Sequence, residues 1–283
     1  MMLWGFILID IVLATLAIYF SYKYEKEKHR DDELIQTVDS EREEEKVRED
    51  YTDMMVHELR APLTAIRGGA ALILSNTLPP PEREKMPRII LESANDMLST
   101  VADFLDIAKI DAGRFSLAKT KADLIKVIEE RLEVFSYPAE EKNITLNFDR
   151  NVVIPEFLFD PVRIGQVVNN LVSNSIKFTN EGGRIDIKIE PTTSEIQVVV
   201  TDNGIGIADS KKPILFTKFG QIDHTDGHGP SSGLGLYISK EIVTAHGGKI
   251  WLESEERKGT AAHFTLPIVN EEVLQVHQSI LSN

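Results

Sequence analysis

Cysteine is missing from all 283 residues, which excludes disulfides, thiolate metal sites and cysteine nucleophiles, and with them thiol redox chemistry. A basic surplus is missing too. Lys and Arg number 31 against 45 Asp and Glu, a formal net charge of -14, whereas a general nucleic-acid binder needs a basic face to neutralise phosphates. Nucleic acid is therefore not an expected partner. Glycine and proline are absent from residues 23–50, a dense mixture of charges with sparse apolar positions at Leu34, Val38 and Val47. That composition suits a continuous solvated helix or loose coiled coil, and both a signal-transmitting rod and a plain spacer fit it. No internal repeat is visible. With 42% hydrophobic and 27% charged residues, the chain can bury real cores, and its length suits two folded units with additions.

One apolar run is long. From Leu3 to Phe20 only Asp10 and Thr15 interrupt it, about the length that crosses a hydrocarbon layer of ~30 Å. Lys23, Lys26, Lys28 and Arg30 all follow the run instead of preceding it. This argues for a retained single-pass helix, not a secretory signal peptide, with the C-terminal bulk on the cytoplasmic side of a cell inner or plasma membrane.

Next comes a seam at Met55, Leu59, Pro62, Ile66, Gly69 and Ile73, alternating spacings of four and three. Pro62 is expected to kink this helix. Asn76 to Pro81 reads as a turn, and a second seam follows at Ile90, Ala94, Met97, Val101, Phe104 and Ala108, ending at Gly113. Two such helices form a hairpin whose seams suit pairing with a second copy, a homodimeric four-helix bundle. After Ser116 short strands are expected at 144–148, 184–190, 196–201, 249–253 and 261–267. Helices are expected at 123–141, 160–179 and 233–245. The fold class is α+β: an N-terminal transmembrane helix, a helical hairpin, then a sheet covered by helices. The expected units are 1–22 (membrane helix), 23–50 (charged linker), 51–113 (hairpin), 114–270 (α/β domain) and 271–283 (tail).

His57 is two residues from both Met55 and Leu59, so at ~100° per residue it projects away from the seam into water. An exposed imidazole with Glu58 next to it can serve as a nucleophile whose proton the carboxylate accepts. Asp202-Asn203-Gly204-Ile205-Gly206-Ile207 follows an apolar strand and puts two glycines where backbone must approach a ligand closely. Ser231-Ser232-Gly233-Leu234-Gly235-Leu236 opens an apolar helix whose free N–H groups suit a polyphosphate. Asn170 and Asn174, at i and i+4, share a helix face with Lys177. Their amide oxygens suit Mg²⁺ held together with substrate phosphates. Two glycine loops and a pair of asparagines point to one nucleotide.

Together these stretches resemble the sensor histidine kinases of two-component systems, from about Tyr51 to Pro267. The run from Met55 to Thr64 looks like the phosphoacceptor box, Asn169 to Thr179 like the box that holds Mg-ATP, and Asp202–Ile207 and Ser232–Leu236 like the two glycine boxes. Phe216–Phe219 and the closing strand at Gly259-Thr260 and Phe264–Pro267 complete the order. The resemblance implies a Bergerat-type fold in which Asp202 binds the adenine amino group, Asn170 and Asn174 hold Mg²⁺, and Lys177 contacts phosphate. Gly204, Gly206, Ser232, Gly233, Leu234 and Gly235 would line the nucleotide, and Gln221–Pro230 would be a mobile lid, which makes His224 and His228 poor metal candidates. It further implies ATP-dependent phosphorylation of His57 assisted by Glu58, and transfer to the receiver domain of a separate response regulator. Little chain precedes Leu3, so a stimulus is expected to enter through the bilayer, the linker or a partner. Ala61 stands where many relatives carry Thr or Asn, so the resemblance does not carry phosphatase activity over. Ser232, where threonine is frequent, keeps a hydroxyl. Two other readings use the same residues: an ATP-dependent scaffold in which His57 is never phosphorylated, and an ATPase that releases phosphate independently of His57.

Overall fold

The structure, a computed structural model, describes residues 52–75, 79–220 and 233–268, together with residues 16, 19–26 and 42. The expected membrane span, the linker, the lid at 221–230, Ser231, Ser232 and the tail lie wholly or mostly outside the described residues. Among those described, no helix is long and apolar enough to cross a membrane. The chain divides into two compact units, Met1–Thr64 and Ala65–Asn283.

Helix α1 spans 52–75 and runs on through Pro62. Met55, Leu59, Pro62, Ile66 and Ile73 are half-buried and Gly69 is buried. Within the second unit, α2 (Pro80–Asp111) starts with proline at its first turn, where a missing N–H costs nothing. Gly69 lets α2 come close, because a β-carbon there would lie 2.9 Å from Ile90 Cγ1. The second seam drifts from its expected line: Ile90, Ala94, Met97 and Phe104 turn inward, but Val101 and Ala108 are exposed, and Asp106 and Ile107 are buried instead. The reason is that the C-terminal part of α2 packs on the α/β domain, against α5 (Gly235–Ala245). Gly113, at φ 62, follows the end of α2.

The α/β domain is built on a five-stranded sheet of order β2-β4-β5-β7-β6, from β2 (Thr145–Phe148), β4 (Arg184–Pro191), β5 (Glu195–Asp202), β6 (Ile250–Glu255) and β7 (Gly259–Pro267). Only the β2–β4 pairing is parallel. Period-two patterning forms the core face: Ile185, Ile187 and Ile189 on β4 stand beside Val200 and Val198 on β5, which pair with Ala262 and Phe264 on β7. Helices α3 (Leu124–Glu141), α4 (Pro161–Phe178) and α5 pack on one another, with Ile164, Val168, Leu171 and Val172 of α4 fully buried. Asp123 and Asp160 cap α3 and α4, each accepting two backbone N–H bonds of the first turn. Asp160 also accepts from Ala118 N, and its own N–H donates to Nε2 of buried His246. The Nδ1–H of His246 in turn meets Ile242 O, and burial holds the imidazole pKa below its usual value. Three elements are additional to the expected set: a two-stranded pair, β1 (Thr120–Ala122) with β3 (Phe157–Phe159), and a 3₁₀ turn at Asp209–Ile214.

Candidate active site

Asp202 continues the inward alternation Ile196, Val198, Val200, so its carboxylate occupies a core-facing slot at the end of β5. A buried carboxylate must be answered by donors, and three are present. Oδ1 accepts from Gly204 N at 2.9 Å and Thr260 N at 3.2 Å, while the Ser175 hydroxyl of α4 donates to Oδ2 at 3.2 Å. Burial raises the Asp202 pKa, and these donors pull it back only in part. Gly206 turns the loop with φ 64, and a β-carbon there would lie 2.0 Å from Glu255 O, so only glycine fits.

Across the cleft Asn170 links two helices. Its Nδ2 donates to Ser239 Oγ of α5 at 2.9 Å, and its Oδ1 accepts from Asn174 Nδ2 at 3.3 Å. A β-carbon on Gly235 would lie 2.2 Å from that oxygen, so glycine is what lets the amide reach the first turn of α5. Neutral oxygens at a helix N-terminus fit Mg²⁺ that shares phosphate ligands, because the ion needs only one or two protein ligands in such a site.

The cleft is lined by Asn170, Asn174, Asp202, Gly206, Gly233 and Gly235, bringing together most of the nucleotide residues expected from sequence. Leu234 is fully buried as the residue before α5, and Gly204 contributes through its N–H to Asp202. Neither is on the cleft wall. Lys177 is also off the wall, its Nζ 5.5 Å from the Phe178 ring centroid, while Phe178 itself lines the cleft. Ser232 lies outside the described residues. The structure adds Ser175, Ser239 and Thr260, and one residue with no sequence signal, Asp103 of α2. Burial, then the neighbouring Asp106 charge, push the Asp103 pKa up to about 6.

In the first unit His57 is exposed on α1, with Glu58 next to it half-buried. Arg60 is exposed, and its carbonyl accepts from Thr64 Oγ1 at 2.7 Å.

Hairpin and cleft define a class: a helical module bearing an accessible histidine, followed by an α/β domain shaped for a nucleotide. Residues 47–113 match the His Kinase A (phospho-acceptor) domain, and residues 159–270 match the histidine kinase-, DNA gyrase B-, and HSP90-like ATPase family. The signal transduction histidine-protein kinase BarA of Escherichia coli is 33% identical over 227 residues, 77% of this chain and 24% of BarA. The chain thus spans about a quarter of that relative's length. Among solved structures, histidine kinase ThkA in complex with response regulator protein TrrA is 27% identical with a TM-score of 0.57, covering 88% of this chain and 66% of that one. Full-length ShkA in complex with AMPPNP is 28% identical with a TM-score of 0.58, covering 78% and 46%. The chain belongs to the sensor histidine kinases.

Proposed function

We propose that the chain is a membrane-anchored protein-histidine kinase that moves the γ-phosphoryl group of ATP to His57 and then to an aspartate on a separate response regulator. The observation that carries this is the cleft, where a buried, hydrogen-bonded Asp202 faces the Asn170–Gly235 junction at the start of α5. Asp202 would accept a hydrogen bond from the adenine amino group, and the free N–H groups of α5 would receive phosphate oxygens. Asn170 and Asn174 would hold Mg²⁺, which supplies charge neutralisation for the phosphates.

In the reaction a ring nitrogen of His57 attacks Pγ in line. The N–P bond forms as the bond from Pγ to the bridging oxygen breaks, and ADP leaves with the electron pair. Glu58 accepts or relays the imidazole proton. Phosphohistidine then loses the same group to a carboxylate oxygen of the regulator's receiver domain, as the solved ThkA pairing with a response regulator supports. Homodimerisation is part of this proposal, as are the single-pass anchor at 1–22, the linker at 23–50 and the hairpin at 51–113. The catalytic domain at 114–270, the tail at 271–283 and a cytoplasmic placement of the catalytic part complete it.

The test is full-length chain in detergent incubated with γ-labelled ATP and Mg²⁺, beside His57→Gln. The expected result is an acid-labile, base-stable label that the variant lacks. An ATP-binding chain that takes up no label would leave the scaffold reading, and steady phosphate release equal in both proteins would leave the ATPase.

A further inference from the structure

Asp103 belongs to the hairpin, yet it lines the nucleotide cleft with Asn170 and Asp202. A second groove runs between α2 and the α/β domain, and the two cavities share three residues: Asp103, Asn170 and Gly235. Asp202, Thr260 and Ala262 line the cleft alone. The Asp103 carboxylate is therefore at the Asn170–Gly235 end, where phosphates and their metal ion belong, and away from the adenine anchor.

Its position is held one turn along α2. Arg163 of α4 forks onto Asp106, with Nη1 to Oδ2 at 2.5 Å and Nη2 to Oδ1 at 2.9 Å. Gln166 Nε2 adds a third bond to the same carboxylate at 3.1 Å. Asp106 is only 4% exposed, and a two-pronged guanidinium pair in such surroundings fixes orientation as well as distance. Lys218 Nζ bonds Asp111 Oδ1 at 2.5 Å, pinning the end of the helix. The Arg163 guanidinium is thus committed to Asp106, and Asp103 is met by the Gln166 amide.

We propose that Asp103 is a charge gate on the nucleotide cleft: held there by the Arg163–Asp106 fork, its carboxylate weakens binding of a nucleoside triphosphate, and weakens it more than binding of the diphosphate. Like charges in a half-closed cleft repel more strongly than in bulk water, and the triphosphate brings the larger charge to the phosphate end. Freeing the fork lets α2 move and withdraws the gate. The inference rests on the reading of the cleft as an ATP site.

The experiment is isothermal titration calorimetry of the full chain in detergent with MgATP, MgADP and metal-free ATP. It compares wild type, Asp103→Asn, Asp103→Glu and the double variant Asp106→Asn with Arg163→Gln. The gate predicts that Asp103→Asn binds MgATP about three- to tenfold more tightly and MgADP by a smaller factor. Asp103→Glu should match wild type, and the double variant, which leaves no buried charge unpaired, should also bind MgATP more tightly. Unchanged or weaker binding by Asp103→Asn removes the gate while leaving the ATP site intact. A loss confined to the Mg²⁺-containing titrations would instead make Asp103 a metal ligand. Absence of nucleotide binding by wild type would remove the site and the gate together.

Discussion

Asp202 carries a conflict between folding and binding. Its pKa is raised by burial, so the folded chain resists the charged form relative to an unfolded carboxylate near ~3.9. Its contribution to stability is fully present below that unfolded value and is lost as pH rises through the folded pKa. Above the ordinary carboxylate range wild type bears the cost of the buried charge. Asp202→Asn keeps an oxygen for Gly204 N and Thr260 N and gives Ser175 Oγ a donor to accept from, so it removes the charge without orphaning a partner. We expect the nucleotide-free variant to melt about 2 °C or more above wild type at pH 7.5, a gap that closes towards pH 4. Its MgATP affinity should fall at least about tenfold, because a hydrogen bond to a charged acceptor is worth ~1.5–3 kcal/mol. Differential scanning calorimetry with and without nucleotide reads both effects. A variant that melts lower without ligand would overturn the charge argument. Asp202 was legible from sequence because period-two alternation runs into a glycine pair. Asp103 was not, since one carboxylate on a charged helix has no pattern and its partner Gln166 lies some sixty positions away.

At the scale of elements, local chemistry was legible where it was self-contained. Asp123 and Asp160 precede apolar helical runs and cap them, and Ile185-x-Ile187-x-Ile189 reads as a half-buried strand from its alternation alone. The β1–β3 pair was missed because each strand is three residues long and gains its pairing only from a segment nearly forty residues distant. The drift of the α2 seam was hidden for a similar reason: one helix serves two partners, and a single period cannot describe both faces. Helix ends also borrow from afar. Lys142, the residue after α3, sends its Nζ to Ile176 O at 2.9 Å and Lys177 O at 3.2 Å, donating to carbonyls of the last turn of α4. A cation there also opposes the negative end of the helix dipole. Lys142→Met keeps the aliphatic stem and removes the donor. It should lower stability by ~1 kcal/mol, read as a lower urea midpoint with unchanged m-value. An unchanged midpoint would show that water replaces the ammonium at no cost.

The whole molecule has an apolar face to account for. Leu91, Leu98 and Leu105 recur every seven residues on α2 and are 62, 68 and 58% exposed, against the expectation that a helix of this length buries its leucines. Seven-residue spacing keeps them in one row, the pattern with which helices pair. Val101, 36% exposed, lies between the last two. Docking of α2 on the α/β domain uses Asp106, Ile107 and Asp111, so Leu91 and Leu98 are left on another side of the same helix, while Leu105 lines the groove between helix and domain. A second copy of the hairpin covers the row in the proposed four-helix bundle, and six buried leucines at ~1.5–3 kcal/mol each would suffice to hold two chains together. Replacing Leu98 and Leu105 by Asp puts like charges directly across such an interface. By light scattering corrected for bound detergent, wild type should have about twice the 31.8 kDa of one chain, and the double variant should have the mass of one. Its nucleotide-dependent rise in melting temperature should persist, because the cleft is walled chiefly by α4, α5 and the sheet. A variant that remains dimeric would move the interface to another face of the hairpin. One that becomes monomeric and also loses its nucleotide response would show that pairing shapes the cleft itself.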